Sequence, residues 1–442
     1  MEYNRARYID QLRSRKQNGL IKIITGARRS GKSYILNELY YRDLIASGVQ
    51  SGRIIRFAFD SDEDIDQLDY YFPDEPTRIR IKKDVYVVNA KKFRAFIADR
   101  TNDSDEYYIL LDEVQLLDGF VGTLNGFLKH QNFDVYVTGS NSKFLSSDIA
   151  TEFKGRGSVV HILPLVFSEY MQGTDKPVAE AWKEYIVMGG IPLVAHMESE
   201  AEKIDYLKQL CEDVYINDII VRNEVKKKDE ISDVFDVMAS VIGSPVNISK
   251  ITDTFRSVTK KKLTDDTVAS FVGYFEDAFV LSRVKKYSIK GRRYIGAPFK
   301  VYFEDVGVRN ARLNFRQIEE THLMENIIYN ELRYRGFSVD FGEVSINERS
   351  DRIDVNGKPI YSQKSLEVDF VATLGNRKYY LQSALSMNDI QKSEQEKRSL
   401  LNIDDSFQKI VITKNGLNAS SDDNGILTVD LFDFLLNEEY CK

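Results

Sequence analysis

The sequence predicts an α/β protein in three parts: a parallel sheet flanked by helices, a helical region, and a second α/β unit. Three observations predict this order. Five short apolar runs alternate with helical patterns, as is typical of a parallel sheet, and they lie near residues 21–25, 53–60, 107–112, 134–138 and 158–163. A glycine-rich loop follows the first run directly. From about residue 316, a helical pattern and two further strand patterns begin the second α/β unit.

The glycine-rich loop carries the strongest chemical signal. Residues 21–33 read IKIITGARRSGKS, an apolar strand that runs into Gly26-x-x-x-x-Gly31-Lys32-Ser33. This pattern is a phosphate-binding loop, in which backbone N–H groups turn inward at a helix N-terminus. It predicts that Lys32 reaches the β- and γ-phosphates and that the Ser33 hydroxyl binds Mg²⁺. The predicted nucleotide-binding residues are Gly26, Ala27, Arg28, Arg29, Ser30, Gly31, Lys32, Ser33 and Tyr34.

Two acids end the apolar run YYILLDE at residues 107–113. The carboxyl end of a parallel strand is where an open α/β sheet places ligands. We therefore expect Asp112 to bind Mg²⁺, directly or through water. We expect Glu113 to polarise the attacking water as the general base.

The apolar run at 134–138 also ends in polar residues. Ser140 and Asn141 are the candidates to contact the γ-phosphate or the attacking water, and Thr138 is a further one. The alternative is ordinary turn chemistry with an N-cap for the next helix.

Five segments in order carry a family resemblance: GARRSGKS, YYILLDEVQ, VYVTGSNSKFL, FKGRGSVVHILPLVFSEY and MGGIPLV. Together they resemble the AAA+ class ATPases of archaeal type, which carry a winged-helix segment and a C-terminal domain related to PD-(D/E)XK nucleases. The resemblance covers almost the whole chain and is strongest from residue 20 to 192. It implies a P-loop sheet of AAA+ type, with ATP and Mg²⁺ as cofactors. It also implies that Arg156 lies near the nucleotide, as an arginine finger or a sensor of the γ-phosphate.

Breaks in the pattern predict the domain boundaries. Gly189-Gly190-Ile191-Pro192 interrupts the chain, so residues 1–192 are predicted to form the P-loop AAA+ domain. Residues 193–310 are predicted to form a helical and winged-helix domain, and residues 311–442 a nuclease-like domain. The acidic and aromatic segment from Asp60 to Pro76 is predicted to be a surface loop.

The winged-helix prediction rests on a helix opening at 247–251, a helix from Asp265 to Ala278, and a hairpin around Lys290-Gly291-Arg292. From residue 256 to Lys300, eleven basic and four acidic residues give a charge of +7, although the whole chain carries −7. This reversal predicts contact with the backbone of double-stranded DNA. Two alternatives stay open: a surface for a protein partner or a second copy of the chain, and a basic hairpin that is merely solvated.

The nuclease-like domain is predicted to be inactive. Glu325 on a helix and Asp369 on a strand match the first two positions of a nuclease-like metal site. Gln382 and Ala384 stand where the third motif requires an acid and a lysine. Their loss removes most of what would bind metal and activate water, so recognition or assembly is the predicted use.

Composition limits the remaining classes. No apolar run approaches the 18 or more residues of a membrane span, and the N-terminus lacks the apolar core of a signal peptide. Cys211 and Cys441 lie far apart and outside any metal-like spacing, so a zinc site is not expected. These features favour a cytoplasmic protein.

The combined prediction is an ATP-binding, Mg²⁺-dependent ATPase coupled to a DNA or protein partner. The alternative is a nucleotide-dependent signalling or defence switch with slow turnover and no role on DNA. An ATP-regulated nuclease is a distant third.

Overall fold

The computed structural model describes residues 2–82, 85–139, 153, 155–258, 263–353, 359–387, 390–414, 416 and 418–441. The chain divides into two compact units. The N-terminal unit contains residues 2–164 and 277–279, and the C-terminal unit contains residues 165–276 and 280–442. The division into three domains stays a prediction. Among the described residues, no helix is long and apolar enough to cross a membrane.

The N-terminal unit alternates strands and helices. Its described strands are β1 Ile21–Thr25, β2 Ile54–Ala58, β3 Arg78–Lys82, β4 Val85–Val88, β5 Tyr107–Asp112, β6 Phe133–Thr138 and β7 Gly157–His161. Its described helices are α1 Ala6–Arg13, α2 Lys32–Tyr34, α3 Tyr41–Ala46, α4 Asp62–Asp66, α5 Ala90–Arg100 and α6 Phe120–Phe127, and a π-helical stretch, Ile35–Tyr40, joins α2 to α3.

Five of these strands form one parallel sheet in the order β2-β5-β6-β1-β7. Every residue of β1 and β5 is buried, which explains why both segments read as continuous apolar runs. The predicted α/β fold with a P-loop parallel sheet is confirmed. Because all five strands point the same way, β1, β5 and β6 end at one edge of the sheet. The glycine loop, Asp112 and Thr138 lie at that edge.

The prediction of a loop from Asp60 to Pro76 is wrong in part, because α4 and a 3₁₀ turn at Gln67–Tyr70 lie within it. Ser61 caps α4 by accepting the N–H of Asp64, and three acids fill the first helical turn, a favourable pattern at a helix N-terminus. The antiparallel pair of β3 and β4 was also not predicted.

The C-terminal unit begins with helices. Its helices are α7 Phe167–Tyr170, α8 Val178–Met188, α9 Pro192–His196, α10 Glu200–Gln209, α11 Asn217–Arg222, α12 Lys228–Ser240, α13 Ile248–Val258, α14 Asp265–Asp277, α15 Val306–Arg312, α16 Glu320–Tyr334, α17 Ile390–Leu401 and α18 Leu431–Leu436. Its strands are β8 Leu281–Ser288, β9 Arg293–Phe303, β10 Ser338–Ile353, β11 Pro359–Leu374, β12 Arg377–Ala384, β13 Gln408–Thr413, β14 Ser420–Ser421 and β15 Ile426–Asp430.

The predicted order of helix, helix and hairpin is present as α13, α14 and the antiparallel pair β8–β9. The hairpin is not a separate wing, however. Strand β8 also pairs in parallel with β10, so the hairpin forms one edge of an eight-stranded sheet in the order β14-β15-β13-β12-β11-β10-β8-β9. This pairing satisfies backbone groups that an isolated hairpin would expose. The winged-helix assignment itself stays a prediction.

The basic region is smaller than the sequence predicts. Lys300 lies on β9 with a side chain that is 1% exposed, so its inclusion in a basic surface is wrong. Arg283 and Lys286 are paired with Glu276 and Glu343. The lysines at 260–262 lie outside the described residues. Arg256 is exposed but pairs with Asp253. At and beside the hairpin turn, Lys285, Lys290 and Arg292 are exposed, and Lys290 lies 3.8 Å from Asp404.

Candidate active site

The loop after β1 has the backbone that its glycines predict. Gly26 has a φ of 143° and Gly31 a φ of 96°, values that L side chains rarely adopt. A Cβ added at Gly26 would lie 2.1 Å from the carbonyl oxygen of Ile162. Glycine is therefore required at this position for both conformation and space.

The Lys32 side chain folds back over the loop. It is buried, and its Nζ donates to the carbonyl oxygens of Gly26, at 3.1 Å, and Ala27, at 2.8 Å. Ser30 is fully buried, and its Oγ has no hydrogen-bond partner among the described residues. An ammonium and a free hydroxyl inside a loop of inward-turning backbone suit a phosphate group. Tyr34 is directed elsewhere, because its hydroxyl donates to Glu2 at 2.8 Å.

Asp112 is the centre of a hydrogen-bond network at the end of β5. One oxygen, Oδ1, accepts from Ser33 Oγ at 3.1 Å and from the Thr138 hydroxyl. The other, Oδ2, accepts from Asn37 Nδ2 at 3.0 Å. Burial raises the pKa of the Asp112 carboxyl, and the Thr138 and Ser33 donors oppose that rise. Three side chains thus fix the orientation of one buried carboxylate.

This arrangement fits a magnesium ion. Mg²⁺ takes oxygen ligands at 2.0–2.1 Å in octahedral geometry, so adjacent ligand oxygens lie about 3 Å apart. The Ser33 hydroxyl and the Asp112 carboxylate have that separation. The described residues contain no group of three His, Cys, Asp or Glu side chains that could hold a metal. A site of one or two protein oxygens agrees with Mg²⁺ bound mainly through a nucleotide and water.

Glu113 follows directly and has a strained backbone. Its φ of 52° places it in the left-handed region, which costs a non-glycine residue about 1–2 kcal/mol. Its N–H donates to Thr138 Oγ1 at 3.1 Å, and its carboxylate accepts from Gln115 Nε2. Asp60 is close enough that burial and the Glu113 charge together raise its pKa. Such strain often marks a functional position.

Arg156 does not lie beside the loop, Asp112 or Glu113. Its carbonyl oxygen accepts the N–H of Ile21, at the amino end of β1, at 2.9 Å, whereas the loop begins at the carboxyl end. Five residues of strand at about 3.3 Å each separate the two by about 16 Å. The side chain is exposed and donates to Asn125 Oδ1 at 2.9 Å. The backbone of Arg156 therefore lies at the amino end of β1, opposite the end at which the loop begins. Ser140 and Asn141 lie outside the described residues.

Two residues of the network were not singled out from the sequence. Asn37 lies four residues after Ser33, a spacing that puts two helical residues on one face, so this signal could have found it. Gln115, two residues after Glu113, left no sequence signal. Thr138 was only a secondary candidate, yet it contacts both acids.

The C-terminal unit contains a second polar centre. Glu325 on α16 and Asp369 on β11 are buried near each other, and between them lies the ammonium of Lys300. Burial, followed by the Glu325 charge, raises the pKa of Asp369, and the Lys300 charge opposes that rise. Gln382 accepts from Ser399 at 3.3 Å, and Ala384 packs in an apolar cluster. Neither position contributes an ionised group.

Comparisons with known proteins agree with the N-terminal site. A family model described as an AAA domain matches residues 18–171, and one described as a domain of unknown function, DUF8612, matches residues 179–319. An uncharacterized protein of Haemophilus influenzae is 30% identical over 440 residues, which cover 98% of both chains. An uncharacterized protein of Methanocaldococcus jannaschii is 25% identical over 396 residues, covering 85% of this chain and 77% of the other.

Two solved structures show weaker likeness. The Aeropyrum pernix ORC2 protein, in ADPNP–ADP complexes, shares 11% identity with a TM-score of 0.36, covering 75% of this chain and 94% of the other. The Aeropyrum pernix ORC1 protein, in complex with DNA, shares 12% identity with a TM-score of 0.28, covering 71% and 93%. TM-scores this low carry no argument about the chain.

Proposed function

The chain belongs to the same family as the Haemophilus influenzae protein and carries an AAA domain, and from this premise we propose that it binds ATP with Mg²⁺ and hydrolyses it. One observation carries the proposal: Ser33, Asp112 and Thr138 are linked by hydrogen bonds at the sheet edge where the phosphate loop begins. The alternative is a nucleotide-dependent switch with slow turnover. It uses the same residues and differs in its rate of ATP hydrolysis.

Each residue has a distinct task. The backbone of residues 26–33 and the Lys32 ammonium bind the phosphates. Ser33 and Asp112 hold the magnesium ion, which when bound neutralises charge on the phosphate oxygens. Glu113 accepts a proton from the attacking water, and Thr138 fixes the position of Glu113 through its backbone N–H.

Two variants test these tasks separately. Lys32→Ala should abolish ATP binding, because the polyphosphate loses its point-charge partner. Glu113→Gln should bind ATP as the parent does but hydrolyse it about a hundredfold more slowly or worse, since the base is lost and Asp112 stays. Hydrolysis at the parent rate in Glu113→Gln would show that Glu113 is not the base.

We further propose that Arg156 completes the site of a second copy of the chain. Its guanidinium is exposed at the edge of the sheet opposite its own loop, which suits a contact in trans better than one in cis. The rate per chain should then rise with protein concentration. A mixture of Arg156→Ala and Lys32→Ala chains, each inactive alone, should regain activity by pairing an intact loop with an intact arginine. A rate that is flat over a wide dilution range, without rescue, would refute the role in trans.

A DNA partner is the second candidate, favoured by the cations at and beside the hairpin turn. Lys290 and Arg292 are exposed at the turn between β8 and β9, and Lys285 is exposed on β8. An ATPase assay with and without double-stranded DNA tests the coupling. Stimulation of the rate would support DNA as the partner, and an unchanged rate would favour a protein partner.

A further inference from the structure

The polar centre of the C-terminal unit is built around one ammonium group. Lys300 Nζ lies 2.7 Å from Glu325 Oε1, 2.6 Å from Glu367 Oε1 and 3.9 Å from Asp369 Oδ1. Lys300 comes from β9, Glu325 from α16, and the other two acids from β11. Three carboxylates from two elements thus converge on a cation supplied by a third.

The remaining contacts of these carboxylates come from uncharged donors. The Tyr302 hydroxyl donates to Glu325 Oε1, and the Ser383 N–H donates to Asp369 Oδ2 at 2.7 Å. The Lys300, Glu325 and Asp369 side chains are 1%, 9% and 10% exposed, whereas Glu367 is 38% exposed and opens the centre to solvent on one side. A buried carboxylate needs a cation or strong donors near it, and Lys300 is the cation that this centre has.

We propose that the Lys300 ammonium is the resident cation of this carboxylate centre, in the place that a divalent metal would occupy, and that the native centre therefore binds no divalent metal. The sequence pattern of the unit implies a metal site at Glu325 and Asp369, but the residues do not fit one. A metal bound by these oxygens would need ligand distances of 2.0–2.6 Å, and Nζ fills that space. The ammonium lies 2.7 Å from Glu325 and 2.6 Å from Glu367 and forms a longer ion pair with Asp369, at 3.9 Å.

Two consequences follow for this unit. Position 384 lacks the lysine of the motif, and the ammonium that does lie beside these acids, that of Lys300, is paired with carboxylates rather than free to act beside a metal. The cluster also ties β9 to α16 and β11, so the hairpin strand is anchored through charge as well as backbone pairing. Removing the ammonium should leave a net negative pocket that can take a metal ion.

Mn²⁺ binding tests this directly, because bound and free Mn²⁺ differ in their electron paramagnetic resonance signal. All chains should carry Asp112→Asn, so that the N-terminal site does not contribute. With Lys300 intact, we expect no bound Mn²⁺ at millimolar concentration. Lys300→Ala should bind one equivalent, and Mn²⁺ should raise its thermal midpoint while leaving that of the Lys300 chain unchanged.

Two further variants identify the site. Adding Glu367→Gln to Lys300→Ala should weaken Mn²⁺ binding by about tenfold or more, because one anionic ligand is lost. Lys286→Ala is the matched control: Lys286 pairs with a single acid, Glu343, and its loss should create no Mn²⁺ site.

Three results would overturn the proposal. The first is Mn²⁺ bound by the Lys300 chain and lost on Asp369→Asn. The second is a folded Lys300→Ala chain that neither binds Mn²⁺ nor gains stability from it. The third is a Lys300→Ala chain that stays unfolded at every Mn²⁺ concentration, because the metal is expected to replace the ammonium.

Discussion

Thr138→Val should slow ATP hydrolysis while leaving ATP binding nearly intact. The Thr138 hydroxyl is fully buried and joins both acids of the site: it donates to Asp112 Oδ1 and accepts the N–H of Glu113. Valine has almost the same shape, so the change removes these two hydrogen bonds and little else. Among the described residues, Thr138 makes no hydrogen bond with the phosphate loop, and ATP affinity should therefore change by less than about threefold.

The magnitude follows from the two bonds. A hydrogen bond to an ionised carboxylate contributes about 1.5–3 kcal/mol, and one to a backbone N–H about 0.5–1.5 kcal/mol. The Glu113 N–H would lose this partner while its backbone stays in a strained conformation. If about 1.4–2.8 kcal/mol of the stabilisation from these two hydrogen bonds is lost in the transition state, kcat falls by about 10- to 100-fold.

Steady-state hydrolysis and equilibrium ATP binding measure the two effects separately. Thr138→Ser is the matched control, because it keeps the hydroxyl and should retain kcat within about threefold. A thermal unfolding scan checks that each variant is folded. A folded Thr138→Val chain with kcat within twofold of the parent would refute the role assigned to this hydroxyl.

Three other predictions concern the loop, a buried acid and the hairpin. Gly26→Ala should abolish ATP binding because its Cβ would collide with a carbonyl oxygen at 2.1 Å, whereas Gly52→Ala, in open space, should bind ATP like the parent. Burial raises the pKa of Asp305 to about 6, so the folded state holds the proton more tightly, and the free energy of unfolding should fall by about 2 kcal/mol as pH rises from 4 to 6. Asp305→Asn should flatten that slope in thermal scans, and an unchanged slope would contradict the assignment. If the hairpin follows a DNA backbone, three charge-removing substitutions should make the slope of log duplex affinity against log salt shallower by about 2–3 units. Unchanged duplex affinity and slope would count against DNA. Those substitutions to Gln are at Lys290, Arg292 and Arg293.

The geometry of the candidate phosphate site could be predicted from the sequence because its parts are local. Gly26 to Ser33 are consecutive, and each acid or hydroxyl of the network ends or follows an apolar run. Parallel strands bring such ends to one edge of a sheet, so reading the runs correctly placed Asp112 beside Ser33. The contact between Asn37 and Asp112 is less local, because it also depends on the direction in which the helix after the loop begins.

The role of Lys300 could not be predicted in the same way. In the sequence it is one more cation in a basic stretch, 25 residues before Glu325 and 69 before Asp369. Only the pairing of β8 with β10 and the packing of α16 bring these groups together, and no short-range pattern encodes either. For Arg156, the resemblance implied a place near a nucleotide. Its backbone pairs with Ile21 at the amino end of β1, which favours the proposed contact with the nucleotide of a second copy.

The burial of Lys300 and the position of Arg156 bear on the same question, namely which surfaces are left for a partner. Lys300 is buried, and Arg256, Arg283 and Lys286 pair with acids, so the described cations at and beside the hairpin turn come down to Lys285, Lys290 and Arg292. Three exposed cations release few counterions, and an acidic chain repels a polyanion elsewhere. Any DNA contact made by one copy should therefore be weak, with a shallow slope of log affinity against log salt, of about 3 or less. Several copies, joined through Arg156 and the phosphate loop, would place several hairpins on one duplex, so assembly and DNA binding should appear together as ATP and protein concentration rise.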